Sequence, residues 1–114
     1  MPFLELRTNK QLSADKKQHV MKDLTALLGK DLKKPERVIM IHCKDNQDLM
    51  FGGSSDPLAF IELRSIGLPE GQTVGLSQSL ASFVKNNLDI PEDRLFINFR
   101  NFERHMWGYN GSTF

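Results

Sequence analysis

The chain has 114 residues, of which 39% are hydrophobic and 25% charged, the usage of a globular protein rather than a disordered one. Fifteen basic against 14 acidic side chains leave a formal charge of +1, which argues against a nucleic-acid binder, since that function needs a clear basic excess. No run approaches the roughly 18 apolar residues of a membrane span, Met1-Pro2-Phe3-Leu4-Glu5 lacks the pattern of a signal peptide, and the lone Cys43 cannot form an intrachain disulfide. These features predict one domain over residues 1–114, held by its core or by partner subunits, in the cytoplasm and away from membranes.

Residues 3–7 alternate apolar and polar in the manner of a strand. Ser13 offers an N-cap oxygen and Asp15 a first-turn negative charge, and Val20, Met21, Leu24, Leu27, Leu28 and Leu32 follow at helical spacing. Gly29 interrupts that face without ending it. Pro35 marks the exit, and Val38-Ile39-Met40-Ile41 reads as a short buried strand. The order then repeats. Leu58 to Ile66 reads as a strand, Thr73 as a helix cap, and Leu76, Leu80, Phe83, Val84 and Leu88 as the apolar face of a second helix. Asp89-Ile90-Pro91 stops it, and Leu95 to Phe99 is the fourth strand.

The repetition is also literal. Phe3-Leu4-Glu5-Leu6-Arg7 recurs 57 positions later as Phe60-Ile61-Glu62-Leu63-Arg64, and Pro35-Glu36 has an echo in Pro91-Glu92. The predicted fold is an α/β (α+β) sandwich of two β-α-β halves, about 1–57 and 58–114, with two helices on one face of a four-stranded sheet. A helix crossover implies parallel pairing within each half. The other sheet face is left uncovered, and Phe96, Phe99, Phe102, Trp107 and Tyr109 exceed what two helices hide, so self-association is expected.

Met1-Pro2, Thr8-Asn9, Phe51-Gly52-Gly53-Ser54-Ser55-Asp56-Pro57, Ser65-Ile66-Gly67, Asp93 to Phe99 and the tail from Gly108 to Phe114 resemble the macrophage migration inhibitory factor (MIF) family of the tautomerase superfamily. The similarity runs from the first residue to the last. It implies a homotrimer with a keto–enol tautomerase site at each subunit interface, needing no cofactor and taking a small aromatic α-keto acid of the phenylpyruvate or dopachrome type. It implies as the alternative a cytokine-like binding protein with a vestigial pocket, meeting a cell-surface receptor after secretion without a signal peptide.

Pro2 is the candidate catalytic residue: freed of Met1, it carries a secondary amine whose pKa burial and a neighbouring cation both lower toward working pH. Its bland reading is a common second residue. The resemblance implies that Lys34, directly before Pro35, pairs with the substrate carboxylate; Lys30, Lys33 and Lys34 together also read as a solvated basic turn, and Lys33 remains a substitute. It implies a backbone N–H donated to substrate by Ile66, at a strand end before a glycine turn. Asn98, among apolar neighbours on the fourth strand, reads either as a structural hydrogen-bonding amide or as a ligand contact, and the resemblance implies that it reaches an adjacent subunit's pocket. Phe96 stands where many relatives have tyrosine and keeps the aromatic wall without the hydroxyl. Met106, Trp107 and Tyr109 read as pocket rim or as tail packing. Leu58 and Ile61 replace the Cys-x-x-Cys of redox-active relatives, and Leu12 replaces an arginine of the receptor-binding ones. His19, His42 and His105 show no metal-ligand spacing, Gly52-Gly53 reads as a turn, and nothing in the sequence pairs Glu5 with Glu62.

Overall fold

The computed structural model describes residues 1–114. Strand β1 (Phe3–Thr8) leads to helix α1 (Ala14–Asp31) and strand β2 (Met40–Lys44); strand β3 (Ala59–Ile66), helix α2 (Thr73–Leu88) and strand β4 (Leu95–Phe102) repeat that order. The sheet order is β2-β1-β3-β4. Within each half the strands pair in parallel, as the crossovers require, and the halves join antiparallel through β1 and β3. Glu5 faces Glu62 in that junction, so the repeated pentapeptides lie head to tail across a local two-fold. The echoed prolines have a structural counterpart too: Pro35 and Pro91 each precede a 3-10 turn, Glu36–Val38 and Glu92–Arg94, that feeds an edge strand.

The core lies between the sheet and the two helices. Leu4, Leu6, Ile61 and Leu63 point from the central strands onto Val20, Leu24 and Leu28 of α1 and Leu76, Leu80, Val84 and Leu88 of α2. Burying each such side chain contributes about 1.5–3 kcal/mol. Ser13 caps α1, its Oγ accepting from the Lys16 N–H at 3.1 Å. Thr73 does not cap α2: it is the first helical residue, and its hydroxyl donates back to Glu70 O at 3.0 Å, because a 3-10 turn over Glu70–Gln72 already leads into the helix. Asp89 closes α2 in a left-handed conformation, with φ of 55°.

The second strand differs from its sequence expectation in place and in burial. Val38 belongs to the 3-10 turn, the strand begins at Met40, and Met40 is 64% exposed. The cause is topological: β2 is an edge strand, with Ile41 and Cys43 turned toward the core and Met40, His42 and Lys44 turned out. Gly29 has a positive reason to be glycine. A Cβ there would stand 3.1 Å from Glu36 Cγ and 3.3 Å from Lys34 O, where the chain folds back so that the Lys34 N–H donates to Gly29 O at 3.2 Å.

The uncovered face is charged at its centre. Across the sheet, His42, Glu5, Glu62 and Asn98 form one row, flanked by Met40-Phe3-Arg64-Arg100 and by Lys44-Arg7-Phe60-Phe96. Two like charges face each other in the middle row. Glu5 is compensated by Arg7 and Lys44 (3.8 Å), with His42 Nδ1 at 3.2 Å, and Glu62 by Arg64 (2.5 Å) and Arg100 (3.5 Å).

Asp45, just past β2, fastens the entrance of α1: it accepts the Leu12 N–H at 2.8 Å and pairs with Lys17 at 3.3 Å. Chiefly the Leu12 hydrogen bond, and then Lys17, hold its carboxyl below the usual carboxylate range. A depressed folded-state pKa stabilises above the unfolded value and ceases to as pH falls through the folded one. Asp45→Asn is therefore expected to lower the melting temperature at pH 7, with the gap to the parent protein closing as both are acidified toward pH 3. Parallel melting curves at fixed ionic strength check this, and a gap independent of pH would contradict it.

Candidate active site

Because β1 and β2 run opposite to β3 and β4, the starts of the first pair and the ends of the second meet at one end of the sheet. Chain topology thereby assembles the site. Pro2 enters β1 fully buried, its carbonyl accepting the Met40 N–H at 3.1 Å. Beside it the 3-10 turn delivers Arg37, Val38 and Ile39; from β3 comes Arg64, whose register partner is Phe3. After β4 the tail makes a 3-10 turn over Arg104–Met106 and a two-strand hairpin, β5 (Gly108–Tyr109) and β6 (Ser112–Thr113).

Asn110 and Gly111, with φ of 52° and 78°, form the tip of that hairpin, the left-handed pair that a tight primed turn requires. The tail is held in place by ring contacts, Phe102 against Trp107 at 5.4 Å and Tyr109 stacked on Phe114 at 5.3 Å, and by the Phe114 N–H donating to Trp107 O. Asn110-Gly111 is the sequence signal for this hairpin.

These pieces line an open-mouthed cavity of about 530 Å³, within the range of small-molecule sites. Its wall is mostly apolar, including Val38, Ile39, Met40, Phe102, Met106 and Trp107. Met1 and Pro2 lie on it, and the Met1 amine has its pKa lowered, first by burial and second by the positive charge of Lys34. Lys34 itself is half-buried. Lys33 by contrast is exposed, in a left-handed conformation with φ of 54°.

Of the sequence candidates, Pro2 and Tyr109 line this cavity, with Met106 and Trp107; Lys34 does not line it, and its charge acts on the Met1 amine. Ile66, buried at the end of β3, pairs with the cavity residue Phe102 without lining the cavity itself. Phe96 and Asn98 are not there. Phe96 lies six residues up β4 from Phe102, roughly 20 Å at strand rise, 61% exposed and 4.7 Å from the ring of Phe51. Asn98 is also exposed rather than surrounded by apolar neighbours. Strand alternation explains it: Leu95, Ile97 and Phe99 face the core, so 96, 98 and 100 face out.

Arg37 and Arg64 were not anticipated as cavity residues. Arg64 sits inside the repeated strand motif and reads there as an ordinary outward position; Arg37 gave no local signal, since a 3-10 turn rather than a strand carries it. Cys43 is a poor nucleophile, because burial and then the Asp45 charge push its thiol up. No group of three or more His, Cys, Asp or Glu side chains converges to hold a metal, and no helix is long and apolar enough to cross a membrane.

Comparison with known proteins agrees with this architecture. Residues 1–114 match the model of the family described as Macrophage migration inhibitory factor (MIF). The chain is 40% identical over 96 residues to the macrophage migration inhibitory factor of Xenopus tropicalis, covering 83% of this chain and 84% of that one. It is 35% identical to the homolog from Trichinella spiralis over the full length of both. Among solved structures, the homologue from Prochlorococcus marinus superposes with a TM-score of 0.92 at 30% identity, covering 98% of each chain. The Trichinella spiralis factor superposes with 0.89 at 33% identity, covering 98% of this chain and 99% of that one. The chain belongs to the macrophage migration inhibitory factor family.

Proposed function

We propose that the chain is a cofactor-free keto–enol tautomerase acting on aromatic α-keto acids of the phenylpyruvate type, with Pro2 as general base and acid. The observation that carries this is Pro2 itself, fully buried where an apolar cavity meets an amino terminus whose pKa is lowered by burial and by Lys34. Removal of Met1 turns the Pro2 nitrogen from an amide into a secondary amine, neutral enough to act as a base near neutral pH. It takes a proton from the carbon next to the ketone, the electron pair of the C–H bond moves toward the carbonyl oxygen, and protonation of that oxygen completes the enol. The reverse path returns the proton to carbon from the ammonium form. Lys34 binds the carboxylate and Tyr109 closes the rim, while Ile66, which does not line the cavity, positions its register partner Phe102, which does.

Phe96 and Asn98 fit this scheme only through a second copy of the chain. Both stand exposed on an edge strand far from their own cavity, Phe96 against Phe51. A homotrimer in which the open sheet faces meet brings β4 of one subunit to the cavity of the next, where Phe96 supplies an aromatic wall.

The test is intact mass followed by an enolisation assay with phenylpyruvate on one preparation, comparing methionine-free protein with a form that retains Met1. Turnover confined to the methionine-free form is the expected result. Equal turnover by both sinks the mechanism, and turnover by neither leaves the cytokine-like reading of a vestigial pocket.

A further inference from the structure

The charges on the cavity wall are one-sided: two arginines line it and no Asp or Glu side chain does. Arg37, exposed at the turn before β2, has no ion-pair partner and no side-chain hydrogen bond in the chain. Arg64 is half engaged. Its Nε donates to Glu62 Oε1 at 2.5 Å, but its two terminal nitrogens have no acceptor, and Glu62 is shared with Arg100 at 3.5 Å. The guanidinium of Arg64 lies 5.6 Å from the ring centroid of Phe3, another cavity residue, which fixes its head group at the wall.

Cations that outnumber their acidic partners beside an apolar wall, as unpaired Arg37 and Arg64 with its shared Glu62 do, repel one another more strongly than they would in open water, and a bound anion relieves that repulsion. One carboxylate accounts for one of them. The planar, fork-shaped guanidinium is suited to a second carboxylate, which it binds through paired hydrogen bonds. We propose that the cavity is built for dianions: an α-keto acid whose aromatic body carries a second carboxylate, that group being held by Arg37 and Arg64. The keto-acid half of this substrate rests on the tautomerase reading above; the second anion site rests on the arginines alone.

Matched probes separate the two. Phenylacetate and 4-carboxyphenylacetate, which have no ketone to enolise, are titrated calorimetrically into the methionine-free protein, and phenylpyruvate and 4-carboxyphenylpyruvate are assayed for turnover. The dianion is expected to bind about tenfold or more tightly than the monoanion, an advantage that shrinks with added salt. Arg37→Met is expected to lower that ratio about fivefold or more, and Arg64→Gln to act in the same direction. Arg37, being exposed and unpaired, is replaceable without loss of a folding contact, so its variant decides the matter if Arg64→Gln does not fold. Equal affinity for the two acetates, no binding of either, or a ratio that Arg37→Met leaves intact overturns the proposal. Discrimination between the acetates without turnover of either keto acid overturns the tautomerase reading and leaves the dianion site standing.

Discussion

Pro2→Gly in the methionine-free chain is expected to lower kcat/KM for phenylpyruvate enolisation by roughly 10²–10⁴, the usual worth of a positioned acid–base group. Glycine preserves the backbone carbonyl that accepts the Met40 N–H, so the strand entry survives. What it removes is the ring that fills the buried position and fixes the direction of the amine. The sign of the pH dependence follows from the two causes at the amino terminus. Burial and then Lys34 disfavour the ammonium of Met1, and the Pro2 amine, one residue further in, is expected to meet both causes, so that its free base persists to lower pH than an ordinary α-amine would allow. Activity then falls as pH drops through that lowered value. Lys34→Met removes one cause, so the acid limb of the rate profile moves to higher pH while KM rises. An acid limb that moves the other way, or a Pro2→Gly variant keeping more than about a tenth of the rate, contradicts the assignment of Pro2 as base.

Arg94→Ala is expected to cost about 2–4 kcal/mol of folding stability, the largest effect of any polar substitution in the chain. Arg94 stands in the 3-10 turn before β4, and its guanidinium ties down the connection from β2 to β3. Nε donates to Pro57 O at 3.1 Å, Nη1 to Phe51 O at 3.2 Å, and Nη2 to Ser54 O and Asp56 O, both at 3.0 Å. The same group lies 5.4 Å from the ring centroid of Phe51, which in turn packs on Phe96. Lysine carries the charge without the fork and reaches fewer of these carbonyls, so Arg94→Lys should recover only part of the loss. Urea denaturation measures the energy, and limited proteolysis reads the local consequence: cleavage between residues 46 and 57 should accelerate in Arg94→Ala. A loss below about 0.5 kcal/mol, with unchanged proteolysis, would show that solvent replaces these bonds at no cost.

The same residues show where sequence reading reaches and where it stops. The helices were legible because their apolar positions recur at a spacing that only one periodicity satisfies, and Ser13 marks a start that the structure keeps. Thr73 had the right chemistry for a cap and the wrong position, since a cap is defined by backbone conformation and a preceding turn had already taken that role. The strand through Val38 was misplaced because short apolar runs carry no phase information at their ends. The tail hairpin was visible in Asn110-Gly111 and overlooked among the aromatics around it.

The sequence by itself determined the two β-α-β halves, their inward faces and the singular chemistry of a proline at position two. These follow from local periodicity and from functional groups that mean the same thing in any context. Only the tertiary structure decided which residues share a cavity. Antiparallel joining of the halves carries the start of β1 and the end of β4 to one end of the sheet, so Pro2 meets Trp107 and Tyr109 while Phe96 and Asn98 are carried away. It also sets Arg37 and Arg64 on the cavity wall from segments 27 residues apart, with no acidic side chain lining that wall. Such convergence is fixed by strand register and by the packing that selects it, and these are long-range quantities to which the spacing of neighbours along a chain is blind.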